Sequence, residues 1–486
     1  MLFSLAFLAN AGLNFVLGLA IAAVLGPEEF GRYALAAAIA ILVNALGFFW
    51  IANATARFYS ERSRAEEPSV RATLDRALLV LGGAVILVAL GVLAFWPGWG
   101  LGGDLVAIAL VVGIVHGVFD YASALSRARF LQGVFARIVL VKNVLGFGMM
   151  LGAAVWLQDA RAVLAALAVS TILALLPVSG VLLDKGDGRF EPARLRTFML
   201  YAGPHVLALA VYQFIPFINR SLLADAQGYA ESGQFSLAFD TLYRIFSAIG
   251  SSLDYILFQF AVRDEDRHGS EAADRRLGKN LVIVLAALLP ALVGFWMVMP
   301  ALAAVMVPAA FREGFLFYGQ RLLPAVIALA FVVSALNAVF QIRRRTMPII
   351  AVAALALLVN GGLVVALPAL IGQAAYPLAQ SGAMLAVLAA TLALTWPVLR
   401  RVVPLRDPLL IALATGLMAL ALWPLRQAGL APAVALASML VVGAAAYAAV
   451  IAATNVGGWR DLVRDRAKDR GGSRLAPRPH APPAAE

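Results

Sequence analysis

The chain has 486 residues, 62% of them hydrophobic and 13% charged, with a net charge of +11 and no cysteine. A soluble domain sits near half apolar and a quarter charged, so this composition excludes a water-facing globule. The absent thiols exclude disulfides and cysteine-ligated zinc. Four scattered histidines, at 116, 205, 268 and 480, argue against a histidine metal site. No metal or other cofactor is expected.

Apolar runs follow one another at about 2–25, 33–56, 77–97, 104–126, 138–157, 162–183, 198–222, 234–260, 281–306, 318–341, 347–370, 377–399, 408–426 and 431–454. A bilayer-spanning helix needs roughly 20 apolar residues, and lipid obliges each backbone polar group to find its partner within the helix. Long solid runs, rather than short alternating ones, argue against a β-barrel. The expected fold class is all-α, a polytopic membrane protein of about 14 transmembrane helices.

The charges between the runs predict the topology. Segments after odd-numbered runs carry only Arg32, Arg161, Arg220, Arg312, Arg321 and Arg426, and every other Lys or Arg except Arg244 follows an even-numbered run. Cytoplasmic loops collect Lys and Arg, so both termini are expected in the cytoplasm and the positive charge calls for no nucleic acid. The tail from Arg460 is basic and then rich in Pro and Ala, the pattern of a disordered cytoplasmic end resting on anionic membrane lipid. The start, MLFSLAFLANAGLNFV, lacks the basic n-region of a signal peptide. No Walker motif occurs, so ATP is not expected to drive this chain directly.

Residues 25–36 read LGPEEFGRYALA, a charged turn between the first two runs. Gly26-Pro27 ends a helix, because proline cannot continue one, and Glu28 and Glu29 suit the positive N-terminal end of the next. A second copy lies between the seventh and eighth runs. Gly31-Arg32-Tyr33-Ala34-Leu35-Ala36 aligns with Gly233-Gln234-Phe235-Ser236-Leu237-Ala238. Six spans separate the copies, so the halves share one orientation, as in transporters with parallel repeats. The expected organisation is an N-lobe at 1–183, a cytoplasmic linker at 184–197, a C-lobe at 198–399, two extra spans at 400–454 and the tail at 455–486.

These motifs carry a family resemblance. The first turn with ANATARFYSE after it, LRTFMLYAGPHVLALAVYQFIPFINRSLLAD in the seventh span and RRRTMPIIAVAALALLVNGGLVVALPALIG in the eleventh are similar to bacterial polysaccharide flippases. These belong to the multidrug/oligosaccharidyl-lipid/polysaccharide exporter superfamily. The resemblance implies two six-helix lobes around a central cavity, a place in the bacterial inner membrane, and no covalent chemistry. It also implies a lipid-linked glycan substrate, undecaprenyl-diphosphate-linked in O-antigen or exopolysaccharide synthesis, with a polysaccharide polymerase and glycosyltransferases as partners. Lipid II flippases of the superfamily carry arginines in the first span, and this first span has no charge.

Polar residues at membrane depth usually face a cavity or a partner, and here they form stripes. In the eighth span Asp240, Arg244, Ser247, Ser251 and Asp254 share one helical face. His116 and Asp120 do so in the fourth, Ser334 and Asn337 in the tenth, and His205, Gln213 and Asn219 mark the seventh. Asn44 and Arg57 belong to the second. The expected substrate cavity is therefore built from Arg57, Arg244, Asp240, Ser247, Ser251, Asn44, Gln213 and Asn337, with Asp120, His116 and His205 as candidates for ion or proton coupling. Two roles stand open for Asp240 and Arg244: mutual neutralisation, or a diphosphate site in which Asp240 holds Arg244. Asp120 and His116 read either as a structural pair or as a coupling pair, and Arg57 either as a positive-inside anchor or as a guard of the cytoplasmic mouth. Rival functions are a cation-coupled multidrug exporter of the same superfamily and a non-transporting scaffold for glycan assembly.

Overall fold

The apolar runs fold as helices, and among the described residues there is no strand. In this computed structural model the described residues are 2–96, 100–184, 188–343, 345 and 347–454, with the side chains of 2–11, 65, 204–205 and 255–256 left out. The expected tail and the side chain of His205 lie outside the described set. Thirteen described helices are long and apolar enough to cross a membrane. They are α1 (Gly12–Phe58), α2 (Pro68–Phe95), α3 (Gly103–Ala128), α4 (Gln132–Leu157), α5 (Ala160–Leu183) and α6 (Pro192–Gln227, apolar from Val206). They continue as α7 (Tyr229–His268), α8 (Ser270–Met306), α9 (Ala309–Ile342), α10 (Met347–Ala366), α11 (Pro368–Val402), α12 (Arg406–Gln427) and α13 (Pro432–Thr454).

Helix α1 holds the first two runs. The expected turn at 26–32 contracts to one residue, Gly26, whose φ of 74° and ψ of 174° break the helix before Pro27 restarts it. A side chain rarely adopts that conformation, so glycine is required there. The two arms of α1 together with the other twelve helices account for every one of the apolar runs.

The chain divides into two compact units, residues 1–258 with 299–395 and residues 259–298 with 396–486. In the first unit, Phe48, Ile51, Leu74, Tyr121 and Leu125 form one buried cluster, and Ala36, Ala109, Val112 and Leu164 form another. Two π-helical turns, Asn44–Phe48 in α1 and Val332–Leu336 in α9, interrupt their helices. Such turns often mark functional positions. The first lies against the glycines of α3, where a Cβ on Gly117 would overlap the Phe48 ring. In the second unit Met297, Met418, Leu422 and Met439 pack together, and the Tyr447 hydroxyl donates to the Ala286 carbonyl at 2.7 Å.

Arg71, expected as a loop cation, is instead a buried tie in the first turn of α2. Its Nε donates to Asp75 at 2.8 Å and its Nη2 to the carbonyls of Leu182 at 3.0 Å and Val181 at 3.3 Å, while Tyr121 donates to the same Asp75 at 2.7 Å. The linker before α6 is fastened to the start of α2. The Glu191 N–H donates to Thr73 Oγ1 at 3.1 Å, and Arg194 pairs with Glu191 at 2.6 Å and with Glu67. Hydrogen bonds from Ser69 and Arg194 hold the Glu191 carboxyl below the usual carboxylate range.

Candidate functional site

The first unit contains a cavity of about 370 Å³ walled by both arms of α1 and by α3, α4, α5, α6 and α7. Its polar lining consists of Asn14, Tyr33, His116, Lys142, Gln213, Arg220, Asp240, Thr241, Tyr243 and Arg244. Arg220 is only 4% exposed. It pairs with Asp240 and lies 5.2 Å from the centroid of the Phe239 ring. Its Nε is buried without a hydrogen-bond partner. Arg244 donates from Nη1 to the Asn14 carbonyl at 3.2 Å.

This arrangement corrects the expected Asp240–Arg244 pair. Residues four apart on a helix can meet, but Arg220 reaches Asp240 from the neighbouring helix and takes its charge. Arg244 is left exposed on the cavity wall, with no carboxylate in ion-pair contact among the described residues. The second expected pair is corrected as well. Asp120 receives its hydrogen bond from Asn44 Nδ2 at 2.9 Å, and His116 Nε2 is buried with no hydrogen-bond partner. Asn44 is the first residue of the π-helical turn.

Of the other expected site residues, Gln213 lines this cavity together with Tyr243. Ser247 and Ser251 line a second, smaller cavity beyond that pair, together with Asp254. Asn337 is buried in α9 and lines neither cavity. Arg57 is exposed in the last turn of α1 and lines neither.

Arg220, adjacent to the polar stripe of the seventh span, and Lys142, placed by charge after the fourth, are not among the expected site residues, yet both line the cavity. Lys142 lies well inside α4, lines the cavity, and has its Nζ 4.5 Å from the Phe119 ring centroid. Its signal was available, since it falls within the apolar run at 138–157. A buried amide cluster was also missed. Asn219 Nδ2 donates to Asn360 Oδ1 at 3.1 Å and to Gln380 Oε1 at 3.2 Å, and Asn360 Nδ2 returns a bond to Asn219 Oδ1 at 3.2 Å. Nothing in three separate apolar runs says that they meet. Asn219→Leu strands both partners in an apolar surround, and such interhelical bonds are worth about 1–2 kcal/mol. The expected result is a lower melting temperature in detergent; an unchanged one would show that the cluster adds no stability.

The two copies of the repeated turn meet within this unit. Gly228 breaks the chain between α6 and α7 with φ 90° and ψ 169°, nearly the conformation of Gly26. Five residues after each break comes the glycine aligned from sequence, Gly31 or Gly233. A Cβ on Gly31 would overlap the Tyr229 carbonyl oxygen, and one on Gly233 would overlap the Pro27 carbonyl oxygen. The contact is thus reciprocal, residue for residue: Pro27 and Tyr229 occupy equivalent places in the two copies. Each copy is anchored by its own glutamate. Glu29 accepts from the Ala160 N–H at 3.1 Å, and Glu231 accepts from the Tyr318 hydroxyl at 2.6 Å. Between the copies, the Arg32 guanidinium sits 5.0 Å from the Tyr229 ring centroid.

These features define a class: a many-helix membrane protein with an internal repeat and a cation-lined cavity. No protein-family model matches the chain, and neither does any curated protein. Solved structures do match. The lipid II flippase MurJ in an inward closed conformation aligns with a TM-score of 0.76 at 14% identity, over 95% of this chain and 99% of that one. A MATE transporter in complex with MaL6 aligns at 0.58 and 16%, over 82% and 96%. An inward-facing multidrug resistance MATE family transporter of the MOP superfamily aligns at 0.53 and 16%, over the same shares. The fold is therefore MurJ- and MATE-like.

Proposed function

We propose that the chain moves undecaprenyl-diphosphate-linked oligosaccharide across the bacterial inner membrane by alternating access, in the synthesis of a surface polysaccharide. The observation that carries this reading is the charge of the first cavity, where Lys142, Arg220 and Arg244 face the single carboxylate of Asp240. In a low-dielectric setting such an excess favours a multiply charged anion and repels an organic cation. A diphosphate suits it; the cationic substrates of a multidrug exporter do not. A scaffold would have no use for a cation-lined interior. The likeness to a flippase whose substrate is lipid-linked supports the same side.

In this reading the halves at 1–183 and 198–399 act as lobes, the termini face the cytoplasm, and the repeated turns close the path on the outer side. Arg244, exposed and without a carboxylate partner among the described residues, is the first contact for the diphosphate. Asp120, held by Asn44, is the place for cation coupling, with His116 beside the path and His205 in the same role from α6. Arg57 guards the cytoplasmic mouth, and Asn337 supports the wall of α9.

Deletion of the gene, in a strain with no second flippase, is expected to abolish the surface polysaccharide and leave lipid-linked repeats on the cytoplasmic leaflet. Complementation with the wild-type gene restores the polymer, and Arg244→Ala, expressed to the same level, does not. Unchanged polysaccharide in the deletion strain would overturn the reading.

A further inference from the structure

Beyond Gln213 and Tyr243, which line both spaces, lies the second cavity of about 190 Å³, enclosed by α6, α7 and α9. Its chemistry is the reverse of the first. No cation lines it among the described residues; besides Gln213 and Tyr243 its polar groups are the hydroxyls of Tyr212, Ser247, Ser251 and Ser334 and the carboxylate of Asp254. Asp254 has no ion-pair partner among the described residues. The serine hydroxyls on α7 are loosely held, with Ser247 donating to the Arg244 carbonyl at 3.4 Å and Ser251 to that of Ala248 at 3.5 Å. Both can turn to an incoming partner. The cavity has room for about six waters at their liquid volume, too loose for a close oxygen cage around one metal ion.

We propose that this cavity is a saccharide subsite that accepts a neutral sugar, and that Asp254 makes it reject an acidic one. The inference rests on the reading above, in which the diphosphate sits at Arg244. From Arg244 to Asp254 is ten residues of helix, about 15 Å along the axis, so a glycan leaving the diphosphate along α7 runs past Ser247 and Ser251. Sugar hydroxyls both donate and accept. The serine and tyrosine hydroxyls can complement either role, and the carboxylate, when ionised, accepts two donors from one ring. Tyr212 adds an aromatic face beside them. A uronic acid placed there would set a second carboxylate next to Asp254 with no cation to balance it, and the low dielectric makes that repulsion large. The path is therefore polarised, cationic where the phosphates bind and anionic where the sugar lies.

The test uses the full-length protein in proteoliposomes, with polyprenyl diphosphate bearing one neutral hexose and the same lipid bearing one hexuronic acid. Wild type is expected to translocate the neutral probe at least about tenfold faster than the acidic one. Asp254→Asn, which keeps shape and removes charge, is expected to bring the ratio close to one by raising the acidic probe. Equal rates for the two probes in wild type overturn the inference while leaving the proposed function intact. So does an Asp254→Asn variant that keeps the wild-type ratio. If the variant does not fold, the wild-type ratio together with that of Ser251→Ala decides. In that case a Ser251→Ala rate that drops for the neutral probe alone supports the subsite, and one that drops for neither overturns it. Translocation of neither probe by wild type overturns the proposed function and the inference with it.

Discussion

Arg220→Ala is expected to destabilise the protein by up to about 3 kcal/mol and to abolish transport, because it leaves the half-buried Asp240 carboxylate without its buried partner. Arg220 is almost fully enclosed, and beyond its ion pair the planar cation rests near Phe239, so the substitution also removes packing. The pair itself need not be net stabilising, since desolvation offsets much of the attraction. That gives a sharp second expectation. The double variant Arg220→Leu with Asp240→Leu recovers most of the lost stability and none of the transport, because the cavity has then lost part of its polar wall. Thermal unfolding in detergent, followed alongside transport, separates the two effects. A double variant as unstable as Arg220→Ala would show that the pair stabilises the fold in its own right.

The next largest effect is expected at the reciprocal glycines. Gly31→Val or Gly233→Val puts side-chain atoms where the opposing turn's carbonyl now lies. Overpacking of this kind costs about 1–3 kcal/mol. Each turn is anchored separately, through Glu29 on Ala160 and Glu231 on Tyr318, so the cheaper response is for the two turns to part. A 1–3 kcal/mol bias lowers the closed-to-open ratio roughly 5- to 150-fold. The chain has no cysteine, which makes a single introduced thiol a clean reporter. Ala37→Cys on the cavity wall is expected to resist a membrane-impermeant thiol reagent added from the outer side. In the Gly31→Val background it should be modified at least about fivefold faster, with transport falling in parallel. Equal labelling in both backgrounds would show that the turns do not seal the path.

Much of this was legible in the sequence for a simple reason: lipid leaves few options. Apolar runs gave the helices, and even the two that merge into α1 were separated correctly at Gly26. The repeat was legible only in part. Aligning Gly31 with Gly233 rested on residue identity, whereas the equivalence of Gly26 and Gly228 rests on backbone conformation, and the reciprocal contact on neither. Stripes along one helix were also legible, because spacing fixes a face. Partners were not. Spacing on α7 offered Arg244 to Asp240, and a cation from the neighbouring helix took the place. Asn44 bonds to Asp120 from a π-helical turn that no periodicity announces. The Asn219–Asn360–Gln380 cluster joins three helices far apart in sequence. Lys142 and Arg220 lie near run ends, where a cation reads equally well as a topology signal, and spacing does not say that both face the cavity.

The most direct measurement is translocation of a polyprenyl-diphosphate-linked oligosaccharide in proteoliposomes holding purified protein. Wild type is expected to expose the labelled glycan on the opposite leaflet faster than empty liposomes. Arg244→Ala, with the same melting temperature as wild type, is expected to match the empty liposomes. Translocation unaffected by Arg244→Ala, or none by wild type, would contradict the assignment of the cation-lined cavity as a path for a diphosphate-linked glycan.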